Sequence, residues 1–378
     1  MLTASHACAI LSVDLDAVAA NYALLDEKSP GAICAAVVKA DAYGHGIHPT
    51  AARLMQSGVD LFAVANVREA TEIREMGSGW PILVLGPLLP EEDRSLATHD
   101  LIATISCANE LDRFAAVARE ANKTLPIHLK IDTGMGRMGA WWEEAVALLQ
   151  DAQSRPELKL EGALTHFADP KDIEFTGQQR KIFLDILREQ NLLGKPDFLV
   201  HADNSSSLRT LSSDDPCNAV RIGLHQFGIA PPAGSPLADL KVDPVFSFHA
   251  RLALVKNLPA GTSVSYGREY VLKRNSRIGI LTAGYGDAIP LPCGNRADVL
   301  LRGRRHPIVG RVTMDQTLVD LTDADEDLQP GENITLIGSQ GSERIPLPEL
   351  AAHSDTSPWE LLCSVTKRVP RVYKTTRT

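Results

Sequence analysis

Short β-branched runs alternate with amphipathic helical windows along the first part of the chain. After a helical stretch at 14–27, runs at 33–40, 61–66, 81–86, 101–106, 125–132, 158–168, 197–204 and 218–224 read as strands. Helical periodicity fills windows between them, at 67–77, 109–122, 143–153 and 176–193. In the last window Phe183, Ile186 and Leu187 share one stripe at three- and four-residue spacing. Eight strands with intervening helices predict a (β/α)8 barrel of the TIM type rather than an open sheet. The pattern changes after Gly228. The stretch 230–236 is rich in proline and glycine and reads as a linker. Beyond it come shorter alternating runs at 245–255, 277–283, 298–301, 307–312, 316–320 and 333–337, which predict a mainly β domain. The expected division is a barrel at 12–236 and a β-rich domain at 237–378, with residues 1–11 packing on the latter.

Composition narrows the function classes. A chain of 378 residues, 44% of them apolar, is long enough for two domains with sizeable cores. The net charge of -9 disfavours nucleic acid as a partner, and the basic runs Arg302-Gly-Arg304-Arg305 and Lys367-Arg368 read as solvated loop charge or a dimer rim. The N-terminus has no basic region and only a short apolar run, unlike a signal peptide. No segment approaches the ~20 apolar residues of a membrane span. The six cysteines are scattered, with no C-x-x-C pair, which fits free thiols in a reducing cytoplasm and not a zinc site.

Chemistry collects where a barrel would put it, at the C-terminal ends of strands. Those ends carry Lys39, Arg137, His166, His201 with Asn204-Ser205, and Arg221. A lysine that forms a Schiff base must be partly unprotonated, and a semi-buried strand end helps by desolvation. A lysine snorkelling out of a strand end would look the same in isolation.

The segment Val37-Val-Lys39-Ala-Asp-Ala-Tyr43-Gly-His-Gly46 resembles the lysine signature of the pyridoxal-phosphate-dependent alanine racemase family. Further segments similar to that family follow in order: Lys130-Ile-Asp-Thr-Gly-Met-Gly-Arg137, Thr165-His166-Phe-Ala, His201-Ala-Asp-Asn-Ser205, Val220-Arg221-Ile-Gly223, Val264-Ser-Tyr266-Gly-Arg, Ala283-Gly-Tyr285-Gly-Asp, Gly310-Arg-Val-Thr-Met314-Asp315 and Arg368-Val-Pro-Arg-Val-Tyr373. The resemblance implies interconversion of L- and D-alanine, either to supply D-alanine for peptidoglycan or to catabolise it. It implies that Lys39 holds pyridoxal 5'-phosphate and is the base on one face of the substrate. Tyr266 from the other subunit of a homodimer is the base on the opposite face. Two bases suit the chemistry, because racemisation removes a proton from one face and returns one to the other. A phenol ionises near ~10 and needs cationic neighbours, which the resemblance places at His166 and Arg221. Arg221 faces the pyridine nitrogen, and as a permanent donor it leaves that nitrogen unprotonated. His201 orients Arg221. Ser205 at a helix start, Tyr43 and the N–H groups of Gly223 and Leu224 hold the phosphate. Arg137 approaches the substrate carboxylate, and Lys130, carbamylated in many members, steadies it. The Met314 N–H binds the carboxylate from the partner chain, with Asp315 and Tyr285 in support.

The chain departs from the family pattern at Trp359, where a phosphate-contacting tyrosine is usual, and at Phe227, Asp203 and Ala288, where tyrosine, alanine and glycine are. Other readings are weaker. A pyridoxal-phosphate homeostasis protein lacks the second domain and any counterpart of Tyr266. A decarboxylase on the same barrel pairs the pyridine nitrogen with a carboxylate, whereas Arg221 stands here. A non-enzymatic scaffold leaves the entire catalytic set unexplained. A serine or broad-specificity racemase is the nearest alternative.

Overall fold

The computed structural model describes residues 7–208, 215–231, 233–235 and 237–375. The chain opens in the second domain. Strand β1 (Ala9–Asp14) alternates buried and half-buried residues, as a strand covered on one face should. The chain then enters the barrel through helix Leu15–Glu27, whose first turn is capped by Asp14 accepting from the Ala17 N–H at 2.9 Å. The barrel strands are β2 (Ile33–Val37), β3 (Leu61–Val64), β4 (Ile82–Val84), β5 (Ile102–Ile105), β6 (Leu125–Asp132), β8 (Leu158–Leu164), β9 (Leu199–His201) and β10 (Ala219–Ile222), with the two-residue β7 (Ala140–Trp141) added to β6. They pair in parallel in the order β10-β2-β3-β4-β5-β6-β8-β9. Strands such as β3, β5 and β10 are buried at every position, the pattern of a parallel sheet covered on both faces. The ring nearly closes between β9 and β10 through the Asn204–Arg221 bridge and the Arg221 N–H on the Asp203 carbonyl at 3.1 Å.

The second domain is built from β11 (Phe246–Leu258), the hairpin β12 (Ser263–Val264) and β13 (Tyr270–Val271), β14 (Ser276–Leu281), β15 (Asp298–Leu301), β16 (Arg304–Pro307), β17 (Thr317–Asp320), β18 (Asn333–Gln340), β19 (Glu343–Ile345) and β20 (Arg371–Lys374). Its sheet runs β16-β15-β18-β11-β1-β20, with β14 and β17 extending from β11. A (β/α)8 barrel followed by a mainly β domain is therefore the observed architecture.

Several windows shift. The run at 158–168 forms a strand only to Leu164, because Thr165 and His166 leave the sheet to line the site. The strand expected at 307–312 lies earlier, at Arg304–Pro307, with only an isolated Ile308–Val319 bridge beyond it. A tight turn at Gly303, φ 76°, pairs Leu301 directly with Arg304, and Gly310 at φ 73° breaks the extended path beyond. The arginines of that turn are exposed, in keeping with solvated charge, and two of them also pair with carboxylates. Arg302 meets Asp327 at 2.6 Å and Glu332 at 2.9 Å, and Arg305 meets Glu349 at 2.5 Å. Phe183, Ile186 and Leu187 are buried on one face of helix Ile173–Glu189, as their spacing predicts. Of the proline-rich linker, Pro232 and Pro236 lie outside the described residues, as do residues 1–6 of the N-terminal segment. Among the described residues no helix is long and apolar enough to cross a membrane, and no three metal-ligating side chains gather.

Candidate active site

Lys39 follows β2 by one residue and opens an unusual turn. Ala40, Asp41, Ala42 and Tyr43 all have φ between 52° and 55°, followed by Gly44 at 79°. Left-handed backbone costs an L residue about 1–2 kcal/mol, so four in succession persist only where neighbours hold them. They are held. The Glu69 carboxylate accepts from the Ala40 N–H at 2.7 Å and the Ala65 N–H at 2.8 Å, and Asp41 accepts from the Ile47 N–H at 2.7 Å. From the second domain, Arg371 donates to the Gly44 carbonyl at 3.1 Å. A Cβ at Gly44 would meet the Leu362 carbonyl at 2.5 Å, so helix Pro358–Cys363 closes directly on the turn. Lys39 itself is half-buried, and burial together with the nearby Arg137 and Arg221 cations lowers its pKa.

Arg221, buried at the end of β10, is fixed by five acceptors. Nη1 donates to the His201 carbonyl at 2.6 Å and faces His201 Nδ1 at 3.2 Å. Nη2 donates to the carbonyls of Thr165 at 2.8 Å and Ala202 at 3.1 Å, and faces His166 Nδ1 at 3.3 Å. Among the described residues no carboxylate touches it directly; burial lowers its pKa to about 10. Burial and the Arg221 charge in turn hold His166 far below the usual histidine range, so it is a neutral ring and not the cationic neighbour the resemblance implied; of that pair only Arg221 carries charge. Lys130, buried on β6, is pushed down to about 8 by burial and by Arg221 and Arg137. The exposed Arg137 sits on a loop shaped by Asp132, whose carboxylate accepts from the N–H groups of Gly134, Met135, Gly136 and Arg137 at 2.8–3.1 Å.

The residues expected to hold phosphate differ from expectation in one respect. Ser205 does not start a helix. It lies in a turn folded on Asn204, and its Oγ accepts from the Gly223 N–H at 2.7 Å. Leu224 begins the short 3-10 turn Leu224–Phe227. The Tyr43 hydroxyl completes the group, 2.7 Å from where a Cβ at Gly223 would stand.

A second cluster stands on the β domain. The Tyr266 ring is 70% exposed and Met314 53%, so neither fills the core. Ser265 Oγ donates to the Arg311 carbonyl at 2.5 Å, which ties the Tyr266 turn to the Met314 loop. That loop accepts the N–H groups of Tyr285 and Gly286 at 2.9 Å. Asp315 and Asp287 are joined by Arg368, at 2.8 and 3.3 Å.

The geometry of both clusters can be set against known proteins. The family profile described as "Alanine racemase, N-terminal domain" matches residues 13–231, and "Alanine racemase, C-terminal domain" matches residues 245–373. The chain belongs to the alanine racemase family. A relative named "Alanine racemase" from Halothermothrix orenii is 38% identical over 343 residues, covering 89% of each chain. Crystal structures of alanine racemases from Streptomyces lavendulae and Bacillus anthracis superpose with TM-scores of 0.89 and 0.87 at 32% and 34% identity. They cover 98% and 99% of this chain, and 97% and 96% of theirs. The second carries bound L-Ala-P, and the Bartonella henselae alanine racemase, 27% identical at TM-score 0.86 over 97% of this chain and all of its own, carries covalently bound pyridoxal phosphate. The activity is that of the family, interconversion of L- and D-alanine with pyridoxal phosphate. The residues present fit that group, because the Gly223 cradle has room only without a Cβ and the Lys39 amine is held below its ordinary pKa.

The departures from the racemase pattern now have surroundings. Ala288 takes φ 85°, the conformation that makes glycine usual there. Asp203 is buried but paired with Arg180 at 2.6 Å. Phe227 stacks on His45 with centroids 4.6 Å apart, and Trp359 lies half exposed on the helix abutting the Lys39 turn. Glu69 escaped the sequence reading, and Asp132 and Arg371, though inside segments quoted there, were given no role. Their work is to accept or donate to backbone groups, and no spacing rule marks a side chain that does so across the fold.

Proposed function

We propose that this racemase works by two bases, Lys39 from the 12–236 barrel of one subunit and Tyr266 from the 237–378 domain of its partner, in a cytoplasmic homodimer. One observation carries the reading: the Tyr266 ring is exposed on a turn tied through Ser265 to the Met314 loop, while the chain's own Lys39 turn is closed by helix Pro358–Cys363. When bound, pyridoxal phosphate withdraws electrons from the substrate Cα and so acidifies its proton. Every other task falls to side chains. The Lys39 amine exchanges a proton with one face of Cα. The Tyr266 phenol does so on the other, next to His166 with Arg221 behind it. Arg221 donates hydrogen bonds and takes none, so the aromatic nitrogen it faces stays unprotonated and side reactions are limited. Arg137 and the Met314 N–H orient the substrate carboxylate. Ser205, Tyr43, Gly223 and Leu224 hold the phosphate, with His201, Lys130, Asp315 and Tyr285 in support. A site built from both chains makes complementation the direct test. Mixing inactive Lys39→Ala chains with inactive Tyr266→Ala chains restores one working site per heterodimer. No recovery after verified subunit exchange counts against shared sites.

A further inference from the structure

Behind Arg221, inside the barrel, lie two buried histidines in a row. His201 Nε2 is 2.9 Å from His128 Nδ1, with the rings edge-on at 5.0 Å and 70°. His128 Nε2 is buried and has no hydrogen-bond partner among the described residues. The arginine dictates where the protons sit. A guanidinium only donates, so His201 Nδ1, 3.2 Å from Arg221 Nη1, offers its lone pair and its proton rests on Nε2. That Nε2–H donates to His128 Nδ1, which leaves the His128 proton on Nε2. Both rings are then neutral. Burial and the Arg221 charge favour this state and push His128 down to about 3.

We infer that His128 is a positioning residue for the racemase reaction, fixing the His201 tautomer and through it the guanidinium plane of Arg221. Two features of the backbone are arranged around this contact. The β6–β8 register shifts between Ile127 and His128, and a bulge of this kind re-aims a side chain. The residue opposite is Gly162, where a Cβ would lie 2.9 Å from His128 Cε1 and 3.0 Å from Nδ1. The imidazole reaches His201 only because that side chain is missing. A core filler would be apolar; an interior donor left without a partner is kept where the rest of the ring is needed.

The inference rests on Arg221 serving the reaction, so the test reads tautomers apart from turnover. In the pyridoxal-phosphate-loaded protein labelled with 15N-histidine, long-range proton–nitrogen correlations show His201 and His128 neutral and protonated on Nε2. His128→Leu removes the acceptor and lowers kcat ~10–100-fold, the usual loss for a supporting partner of a site group. KM for alanine holds and the visible absorption band of the bound cofactor shifts. His128→Asn, whose Oδ1 stands in for Nδ1, recovers most of kcat and the original band. A proton on His201 Nδ1 overturns the inference even if racemisation proceeds, and so does a Leu variant with unchanged kcat and spectrum, or an Asn variant as impaired as Leu. If the Leu variant does not fold, the wild-type tautomers and the Asn variant decide. Wild-type protein that does not racemise alanine contradicts the role of Arg221 and leaves the tautomer result standing.

Discussion

Two lysines at the barrel mouth have depressed pKa values, and either could in principle present a free amine. Lys130 is the more buried, with its stem against Gly139 beneath Arg137. Lys39 is half-buried and opens the turn whose Tyr43 hydroxyl lies at the Gly223 cradle. Access decides for Lys39. Borohydride reduction of the loaded protein places the cofactor label on the Lys39 peptide by mass spectrometry, and a label on Lys130 reverses the assignment. Its counterpart across the substrate has a different signature. Tyr266→Ala lowers Cα hydrogen exchange of L-alanine ~10²–10⁴-fold, the usual loss of a general base, and spares most exchange of D-alanine. Equal losses for the two enantiomers, measured by NMR in heavy water, would contradict separate bases. That Lys39, Arg221 and His166 gather at one end of the barrel was legible from the strand ends, whereas the roles expected of them come from the family resemblance. His128 was not legible, since a histidine two positions before Lys130 reads as core until its partner is seen.

At the scale of elements, the left-handed turn after β2 depends on residues far from it in the chain. Glu69 tops helix Val67–Arg74 and binds two backbone N–H groups at once. Glu69→Ala leaves both without their charged acceptor and costs about 1–3 kcal/mol, less than two full charged hydrogen bonds because water reaches the site. The urea midpoint therefore falls and cofactor dissociates more readily; an unchanged midpoint with unchanged cofactor affinity would falsify the role given to Glu69. Strand and helix windows were legible to within a few residues because hydrophobic period tracks burial. The turn was not, since Ala40, Asp41, Ala42 and Tyr43 are ordinary residues forced into a conformation by tertiary contacts. Nor was the Leu301–Arg304 hairpin, where one glycine moved the strand earlier than its hydrophobic run.

The whole molecule carries an acid liability in its buried histidines. Burial lowers His45 and His249 to about 4 and His128 to about 3, against 6.5 for the exposed residue. Between pH 6.5 and about 4 the unfolded chain takes up protons that the native chain refuses. Stability is thus full above pH 6.5 and falls as pH drops through that window, each such group contributing about 1.4 kcal/mol per pH unit. Calorimetry should find Tm lower at pH 5 than at pH 7, with a shallower decline in His45→Gln; the same slope in that variant would show that His45 is not among the groups responsible. Barrel and β domain were both legible from alternation and linker composition. Residues 1–11 were expected on the second domain, but the particular partners of β1, β11 and β20, were not legible, because they lie hundreds of residues away.

The backbone from Ala40 to Tyr43 is, in handedness, the mirror image of a common helical turn. The clash that an L side chain suffers there is one that a D side chain escapes, by the same steric argument reflected. An alanine racemase therefore carries, immediately after its lysine, an alanine whose backbone would suit the D enantiomer better than the L. The chain is built wholly of one hand, yet beside the site where both hands of alanine are handled it adopts the geometry of the other.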